Sequence, residues 1–272
     1  MIKVKTGVKP DYIIDSHAHL GYWPTLNQCK ANLLESTKNN NIDFTLLSFD
    51  GSEFKENNSF LKPLTSLTAA KKVLSFINDN KEHFGLLIWI RPFFEKNAAE
   101  IELFIKKHRD IIYGLKVHPF LSRVRMTDER LCPYIEVAEK LNLPILVHTA
   151  KDKYSQLKYL IRVCKKYPKV KFIAAHCVLE TDHNEIIAAL LECKNLYCDT
   201  AWVDINFIKK LIDYKLTDKI LFGTDNPIDG IRTLDEEIYQ NYFNNSIRLT
   251  KSQINKIMYK NAIKLYDIKI NN

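Results

Sequence analysis

Two histidines stand one residue apart in the stretch IIDSHAHLGY, directly after a short apolar run. Successive side chains of a β-strand point to opposite faces, so His17 and His19 share one face if the strand continues as far as them. Two neutral imidazoles that converge from a strand end supply half of the ligands of a divalent-metal site. The pair alone does not separate that interpretation from a chance His-x-His at the start of a loop.

Further side chains capable of chemistry stand at the ends of later apolar runs. GLKVHP places Lys116 and His118 at the end of one run, and the runs in PILVHT and FIAAHC end in His148 and His176. Another run, in LFGTDNP, leads to Asp225, which we predict to be the only acid at a strand end, although Asp-Asn-Pro is also ordinary turn chemistry. Five of the eight histidines fall at such positions, which favours a common site over coincidence.

These positions are separated by a repeating order of elements. Short apolar runs alternate with segments of helical period such as AAEIELFIKKH and NEIIAALLEC. Runs that are apolar almost throughout are typical of strands buried on both faces of a parallel sheet. The eight predicted strands are residues 12–15, 43–49, 84–90, 111–117, 143–148, 170–176, 195–200 and 219–224.

Eight β-α units in 272 residues predict an α/β fold, a (β/α)8 TIM barrel, with residues 1–272 forming a single domain. A doubly wound nucleotide-binding sheet is disfavoured because the chain has only seven glycines and no GxGxxG turn. In a barrel the carboxyl ends of all strands surround the active site. The histidines and Asp225 would therefore meet at one rim.

The chemistry of such a rim is that of a transition-metal site. Several imidazoles with one carboxylate suit zinc better than magnesium or calcium, which prefer oxygen ligands. A catalytic zinc site keeps one position open for water, whose pKa falls to about 7 on the ion. Asp225 would act as ligand, general base, or both. We predict a divalent metal, with zinc preferred and manganese, iron or nickel as alternatives.

Six motifs in this order and at β-α spacing resemble the amidohydrolase superfamily, in particular its amidohydrolase-related metal-dependent hydrolases and decarboxylases: DSHAHL, GLKVHP, PILVHT, FIAAHC, LFGTDNP and NKIMYKNAIKLY. The resemblance implies a (β/α)8 barrel with one or two divalent metals at its mouth. His17 and His19 resemble the metal ligands of the first strand. His148 resembles the fifth-strand ligand, and Asp225 the eighth-strand ligand and proton acceptor. His176 matches the sixth-strand histidine, which binds a second metal or contacts substrate and water.

The end of the fourth strand leaves two alternatives open. Two-metal members of the superfamily carry a bridging carboxylate there, from Glu or from a carboxylated Lys, and Lys116 stands where the modified lysine would. The alternative is an unmodified Lys116 that pairs with Asp225 or with substrate, because a buried lysine is costly unless it is paired or neutralised. We favour one metal with unmodified Lys116. His118 would share its face and contact metal or substrate.

Other residues near the strand ends are candidates for substrate contacts. Arg91, in WIRPF, and Arg123, in FLSRVR, would clamp a carboxylate or a phosphate, with a surface location as the alternative. Trp202, in DTAWVD, would pack either on a substrate or in the core. The long segment 50–66, between the second strand and its helix, is expected at the barrel mouth.

Composition limits the partners. The formal net charge is +8, but the basic residues are scattered and mostly Lys, so no nucleic-acid partner is expected. Six cysteines without a CxxC pair predict reduced, mostly buried thiols. No run approaches the roughly 20 apolar residues of a membrane span, and the N-terminus lacks an apolar signal core. The default expectation is therefore a cytoplasmic protein without a membrane partner, and a homo-oligomer remains an open alternative.

These features predict a metal-dependent hydrolase. A metal-bound water would attack an amide, lactone or ester of a small substrate, acidic if the arginines contact it, while Asp225 removes the proton and His176 orients the water. A non-oxidative decarboxylase on the same site is an alternative that the motifs do not separate. A TatD-like deoxyribonuclease is a further alternative, although it would carry Glu in place of Lys116 and need a basic mouth. A barrel that binds a ligand without chemistry is disfavoured, because the set of candidate ligands is intact.

Overall fold

The chain is described by a computed structural model that covers residues 8–22, 24–51, 64–95 and 97–269. Eight parallel strands follow one another around one curled sheet in the order of the sequence. The predicted (β/α)8 barrel is therefore confirmed. The strands are β1 Ile14–Gly21, β2 Phe44–Gly51, β3 Phe84–Ile90, β4 Ile112–Val117, β5 Ile145–Ala150, β6 Phe172–Leu179, β7 Leu196–Asp199 and β8 Ile220–Leu221.

Helices alternate with the strands, and several begin at a side-chain cap. The side chains of Thr25, Thr65 and Asp204 accept backbone N–H groups of the first helical turn, which would otherwise lack partners. The helices are α1 Leu26–Asn39, α2 Ser66–Asn78, α3 Ala98–Lys107, α4 Pro119–Ser122, α5 Cys132–Lys140, α6 Leu157–Lys166, α7 Asn184–Glu192, α8 Ile205–Asp213, α9 Glu237–Phe243, α10 Lys251–Asn255 and α11 Asn261–Tyr266, with a π-helical turn Lys256–Lys260 between the last two.

The strands are buried on both faces, as their composition predicts. All seven residues of β3 are buried, and alternate residues point towards the helices and towards the barrel axis. The lower half of the barrel interior is closed by apolar side chains from several strands together with Tyr266 of α11. This cluster includes Leu46, Leu87, Leu146, Ile173 and Leu221. The upper half is left to polar side chains.

The barrel closes between β1 and the residues that follow the short β8. The Ser16 N–H donates to the Phe222 carbonyl at 2.9 Å, and the Asp225 N–H donates to the His17 carbonyl at 2.7 Å. Farther along, the His19 N–H donates to the Asn226 carbonyl at 2.8 Å. The chain after β8 thus runs beside β1, which places Asp225 next to both histidines of the first motif.

Four strands, β1, β2, β5 and β6, extend beyond their predicted ends, and β8 is shorter than the predicted 219–224. β1 includes His17 and His19, and β2 continues to Gly51, so that Asp50 lies in the strand and not in a loop. Of the segment 50–66 that was expected at the mouth, residues 52–63 lie outside the described residues. No described helix combines the length and apolar character needed to cross a bilayer. All six cysteines are free, and all but Cys132 are buried, as predicted.

Candidate metal centre

His17 and His19 meet Asp225 at the mouth of the barrel. The Nε2 atoms of His17 and His19 lie 3.1 Å and 2.5 Å from the same oxygen, Oδ1 of Asp225. All three side chains are buried. Because residues i and i+2 of β1 share a face, the pair converges on one point as the sequence predicts. The acid comes from the opposite end of the chain, 206 residues after His19.

Two further carboxylates contact the Nδ1 atoms of the two histidine rings, on the side away from Asp225. Asp199, the last residue of β7, lies with Oδ2 2.8 Å from Nδ1 of His17. Asp50 of β2 lies with Oδ1 2.6 Å from Nδ1 of His19, and the Ser48 hydroxyl donates to the same oxygen. The prediction that Asp225 is the only acid at a strand end is therefore wrong. Both missed acids stand in or directly after runs predicted as strands. Their i, i+2 spacing from other inward-facing residues is the signal that could have identified them.

The third histidine of the centre is His176, at the bulged end of β6. Its backbone N–H donates to Oδ1 of Asp199 at 2.8 Å, and its Nδ1 lies 3.2 Å from the Ala201 carbonyl. A carbonyl oxygen only accepts, so the proton of the His176 ring is placed on Nδ1 and its Nε2 is left as an acceptor. His176 Nε2 lies 3.1 Å from Nδ1 of His148.

His148 and His118 lie beside His176 at the barrel mouth. His118 directly follows β4, and its ring stacks on the His148 ring with centroids 4.0 Å apart and planes inclined by 14°. The side chain of His118 also accepts the Leu121 N–H and so begins α4. The structure thus brings together every histidine that was predicted at a strand end.

Three of these residues satisfy the geometry of a metal site directly. One ligand atom each from His17, His176 and Asp225 lies within 4.8 Å of the others. The ring protons of His17 and His176 are turned towards Asp199 and the Ala201 carbonyl, which leaves Nε2 lone pairs facing the centre. Imidazole nitrogens with one carboxylate form a donor set that fits zinc, manganese or a similar divalent ion.

Lys116 lies inside the same cluster and is fully buried. Its Nζ is 2.7 Å from Nε2 of His17 and 3.4 Å from Oδ2 of Asp50. The acid that Lys116 meets is therefore Asp50, where the sequence suggested Asp225 or substrate. The Asp50 Oδ2 atom has no hydrogen-bond partner among the described residues, so this contact is an ion pair only. A carboxylated Lys116 would place an anion beside Asp50, and metal cations would have to balance the two.

The acids of the centre are ionised. Burial alone would raise the pKa of Asp225, but His19, His17 and His176 outweigh burial and hold that pKa well below its usual range. The pKa of Asp50 is likewise held well below its usual range, against the effect of burial, by His19 and Lys116. The pKa of Asp199 is also lowered, because its neighbouring histidines outweigh burial.

The histidines divide into two groups. Burial lowers the pKa of His176 to about 4 and that of His118 to about 3, so both rings are neutral at pH 7. Burial opposes protonation of His19 as well, but the carboxylates of Asp50 and Asp225 outweigh it and raise the pKa of His19 to about 9. The negative field that attracts a proton to His19 would equally stabilise a divalent cation.

The sum of charges also fits a divalent ion. Asp50, Asp199 and Asp225 contribute three negative charges and Lys116 one positive charge, a net of −2 when the histidines are neutral. Asp15, whose pKa burial raises to about 7, is left out of this sum because its Oδ1 accepts the backbone N–H groups of His17 and Thr224. One divalent cation would balance the centre.

Trp202 contacts the centre directly. Its Nε1–H donates to Oδ2 of Asp225 at 3.1 Å, and its backbone N–H donates to the Tyr239 hydroxyl at 3.1 Å. The Tyr239 hydroxyl in turn donates to the Thr224 carbonyl at 2.6 Å. Trp202, predicted to pack on substrate or in the core, therefore orients Asp225 so that Oδ1 faces His17 and His19.

The two arginines differ in their positions. Arg91 is only 2 % exposed, so the surface alternative is wrong for this residue. Its Nη1 donates to the Leu64 carbonyl at 2.5 Å, and its guanidinium lies 4.5 Å from the centre of the Trp89 ring. Arg123 is exposed and lines a shallow surface pocket with Phe120 and residues of the loop after β5.

Comparison with known proteins agrees with this architecture. The family model described as amidohydrolase matches residues 14–268. A search of curated protein sequences found no match. Among solved structures, 5-carboxyvanillate decarboxylase from Sphingomonas paucimobilis is similar with a TM-score of 0.66 and 12% identity over 95% of this chain and 99% of that one.

Two further structures are similar. The 5-carboxyvanillate decarboxylase of Novosphingobium aromaticivorans, with bound manganese and a substituted nitrobenzoic acid, gives a TM-score of 0.69 and 12% identity over 96% of this chain and 100% of that one. A probable 2-pyrone-4,6-dicarboxylic acid hydrolase from Acinetobacter baumannii gives 0.68 and 15% identity over 94% and 99%. At these identities the structures show a shared fold, whereas the family match spans nearly the whole sequence. The chain therefore belongs to the amidohydrolase family.

Proposed function

We propose that this amidohydrolase is a divalent-metal-dependent hydrolase of small molecules. The observation that carries the proposal is the convergence of the Nε2 atoms of His17 and His19 on Oδ1 of Asp225 in a buried, net negative centre. His17, His19 and Asp225 would hold the ion from one side, and His148 or His176 from the other. One ion is proposed, because an unmodified Lys116 paired with Asp50 supplies no bridging carboxylate from β4 for a second ion.

The residues around the ion have separate roles in this mechanism. A bound divalent ion acidifies a coordinated water and polarises the carbonyl oxygen of an amide, lactone or ester. Asp225, ionised and oriented by the Trp202 indole, would accept the proton of the attacking water. His176, with Nδ1 directed at the Ala201 carbonyl, would present Nε2 to orient that water. His118, stacked on His148, would contact the substrate.

A second candidate function is non-oxidative decarboxylation on the same centre. In that reaction a C–C bond to a carboxylate breaks, carbon dioxide leaves and a proton takes its place. The candidate is favoured by the similarity to two solved decarboxylases, one of which was crystallised with manganese and a benzoic acid derivative. Zinc and manganese are both compatible with the proposed ligands.

The proposal is tested by elemental analysis of protein purified without chelator and without an affinity tag. About one divalent metal per chain is expected, with His17→Ala and Asp225→Asn losing most of it while the circular dichroism spectrum is unchanged. His83→Ala, an exposed histidine remote from the centre, serves as the matched control. Wild-type metal content in both site variants, or no metal after addition of zinc and manganese, would contradict the proposal.

The two reactions are separated by their products. A panel of lactones, esters and amides is assayed for acid release, and a panel of aromatic carboxylates for carbon dioxide release. Acid release that disappears in Asp225→Asn supports the hydrolase. Carbon dioxide release with the same dependence supports the decarboxylase instead.

A further inference from the structure

The indole Nε1 of Trp89 is a hydrogen-bond donor without a partner among the described residues. The Trp89 side chain is only 1 % exposed. An indole N–H can only donate, and a buried donor without an acceptor is unfavourable. Buried donors of this kind call for an explanation, and a bound acceptor is one.

Trp89 lies on the face of the sheet that carries the metal centre. Residues 87, 89 and 91 share one face of the sheet, because successive side chains of a strand alternate between faces. Leu87 belongs to the cluster that fills the barrel interior. Trp89 pairs in register with Lys116 of the neighbouring strand. The ammonium of Lys116 reaches His17 and Asp50, so this face of the sheet is the one that lines the mouth.

The neighbours of Trp89 are two buried cations. The Arg91 guanidinium lies 4.5 Å from the centre of the Trp89 ring, and Lys116 is the adjacent residue across the strand pair. Asp50 is the acid that faces Lys116, and the Leu64 carbonyl accepts from Arg91. The wall formed by β3 and β4 therefore carries positive charge and a neutral donor, whereas Asp225 and Asp199 lie on the opposite wall, after β8 and β7.

A ligand that fits both walls has a negatively charged acceptor group at one end. A carboxylate accepts several hydrogen bonds and is attracted to guanidinium and ammonium groups. We propose that Trp89, between Arg91 and Lys116, donates its indole N–H to a carboxylate of the substrate. The inference rests on the proposed function, because it names the substrate class of the same centre.

The test follows the indole N–H signals of the metal-loaded protein. The chain has three tryptophans, so protein labelled with ¹⁵N-tryptophan gives three indole signals, and Trp89→Phe identifies the one from Trp89. Benzoate is the probe and benzyl alcohol its neutral counterpart. We expect benzoate to move the Trp89 signal downfield in a saturable way, whereas benzyl alcohol leaves it in place. In calorimetry, Trp89→Phe should weaken benzoate binding about tenfold.

Tyr242→Phe is the matched control. The Tyr242 hydroxyl is another buried group without a hydrogen-bond partner among the described residues, but its ring packs against Phe222, which follows β8, across the barrel from β3 and β4. Removing it should leave the affinity for benzoate unchanged. If Trp89→Phe fails to fold, Trp23→Phe and Trp202→Phe assign the Trp89 signal by elimination, and the wild-type titration alone decides.

Two results would overturn the carboxylate site. One is a Trp89 signal that stays in place while benzoate binds, which would mean that the metal or another surface holds the acid. The other is the absence of any benzoate-dependent change. Metal content measured on the same samples separates the two hypotheses. A negative benzoate titration of protein with one bound metal contradicts only the carboxylate site. A protein that binds no metal contradicts the proposed function itself.

Discussion

The Oδ2 atom of Asp199 lies 2.8 Å from Nδ1 of His17, and both side chains are completely buried. The second oxygen of the same carboxylate accepts the backbone N–H groups of His176 at 2.8 Å and Ala201 at 3.2 Å. One acid therefore orients the histidine of β1 and the backbone of the histidine of β6. Because a carboxylate accepts hydrogen bonds, it keeps the His17 proton on Nδ1 and leaves Nε2 free to bind an ion.

Loss of this orientation should weaken metal binding. We expect Asp199→Asn and Asp50→Asn each to lower the affinity for zinc about tenfold to hundredfold, because an amide is a weaker acceptor for the ring N–H. The affinity is measured by competition with a chromophoric chelator. Asp182→Asn, which changes an exposed carboxylate, is the control. Wild-type affinity in both site variants would mean that the rings are oriented by packing alone.

Gly223 should be required for metal binding, because there is no room for a side chain between it and His17. A Cβ at this position would lie 2.9 Å from Cβ of His17, closer than such atoms approach, and 3.2 Å from Cβ of Asp199, which is tight. We expect Gly223→Ala to displace His17, lower the melting temperature and remove most of the bound metal. Gly230→Ala is the matched comparison, since its φ of +68° makes alanine strained but its Cβ would meet nothing closer than 3.4 Å. That variant should lose about 1 kcal/mol of stability and keep its metal.

The contact between Lys116 and Asp50 predicts a coupled effect on stability. Lys116→Met removes the ammonium that faces Oδ2 of the buried Asp50 carboxylate and leaves His19 as its remaining charged partner. We expect the free energy of unfolding of the metal-free protein to fall by about 2 kcal/mol. Adding Asp50→Asn should restore a large part of that loss. Urea unfolding of the two single variants and the double variant measures the coupling. Strictly additive losses would show that the ion pair carries no energy.

Metal binding should stabilise the folded chain by mass action. An ion at 100 times its dissociation constant adds about 2.7 kcal/mol to the free energy of unfolding. We therefore expect chelator-treated protein to melt at a lower temperature and addition of zinc or manganese to restore it. His17→Ala should melt at the same temperature with and without metal. A metal-dependent shift that persists in that variant would place the binding site elsewhere.

The cysteines should differ sharply in reactivity. Burial raises the pKa of the Cys29 thiol to about 11, and it also raises the pKa values of Cys164 and Cys177. A raised pKa leaves a thiol protonated and unreactive at pH 8. Cys132 is the partly exposed exception, so a chromogenic disulfide reagent should titrate about one thiol in native protein and six after unfolding. Native Cys132→Ser should then show none.

Much of the architecture could be predicted from the order of apolar runs. Continuous apolar runs identify strands buried on both faces, and the barrel follows from their number and spacing. The positions of His17, His148, His176 and Asp225 at one rim follow from the same rule. Each of these side chains lies at the mouth in the structure.

The acids that support the histidines were missed for a physical reason. Asp50 follows Phe49 in a run that changes from apolar to polar, and only pairing with β1 extends the strand to include it. Asp199 lies within the predicted strand 195–200, and the sequence does not show that its side chain reaches His17. The partner of Lys116 was likewise not predictable, since it depends on which inward-facing side chains of β2 and β4 reach one another across the barrel interior.

Because β8 has only two residues, the closure of the barrel depends on the chain that follows it, which includes the proposed ligand Asp225. His17 accepts the Asp225 N–H through its own carbonyl, so the backbone joint between the first and last strands and the ligand pair are made by the same two residues. An ion bound by both side chains would therefore link the first and last strands of the barrel. Without the ion, we expect the segment after β8 to open locally first. The amide hydrogen of Asp225 would then exchange with solvent before those of β3 or β4.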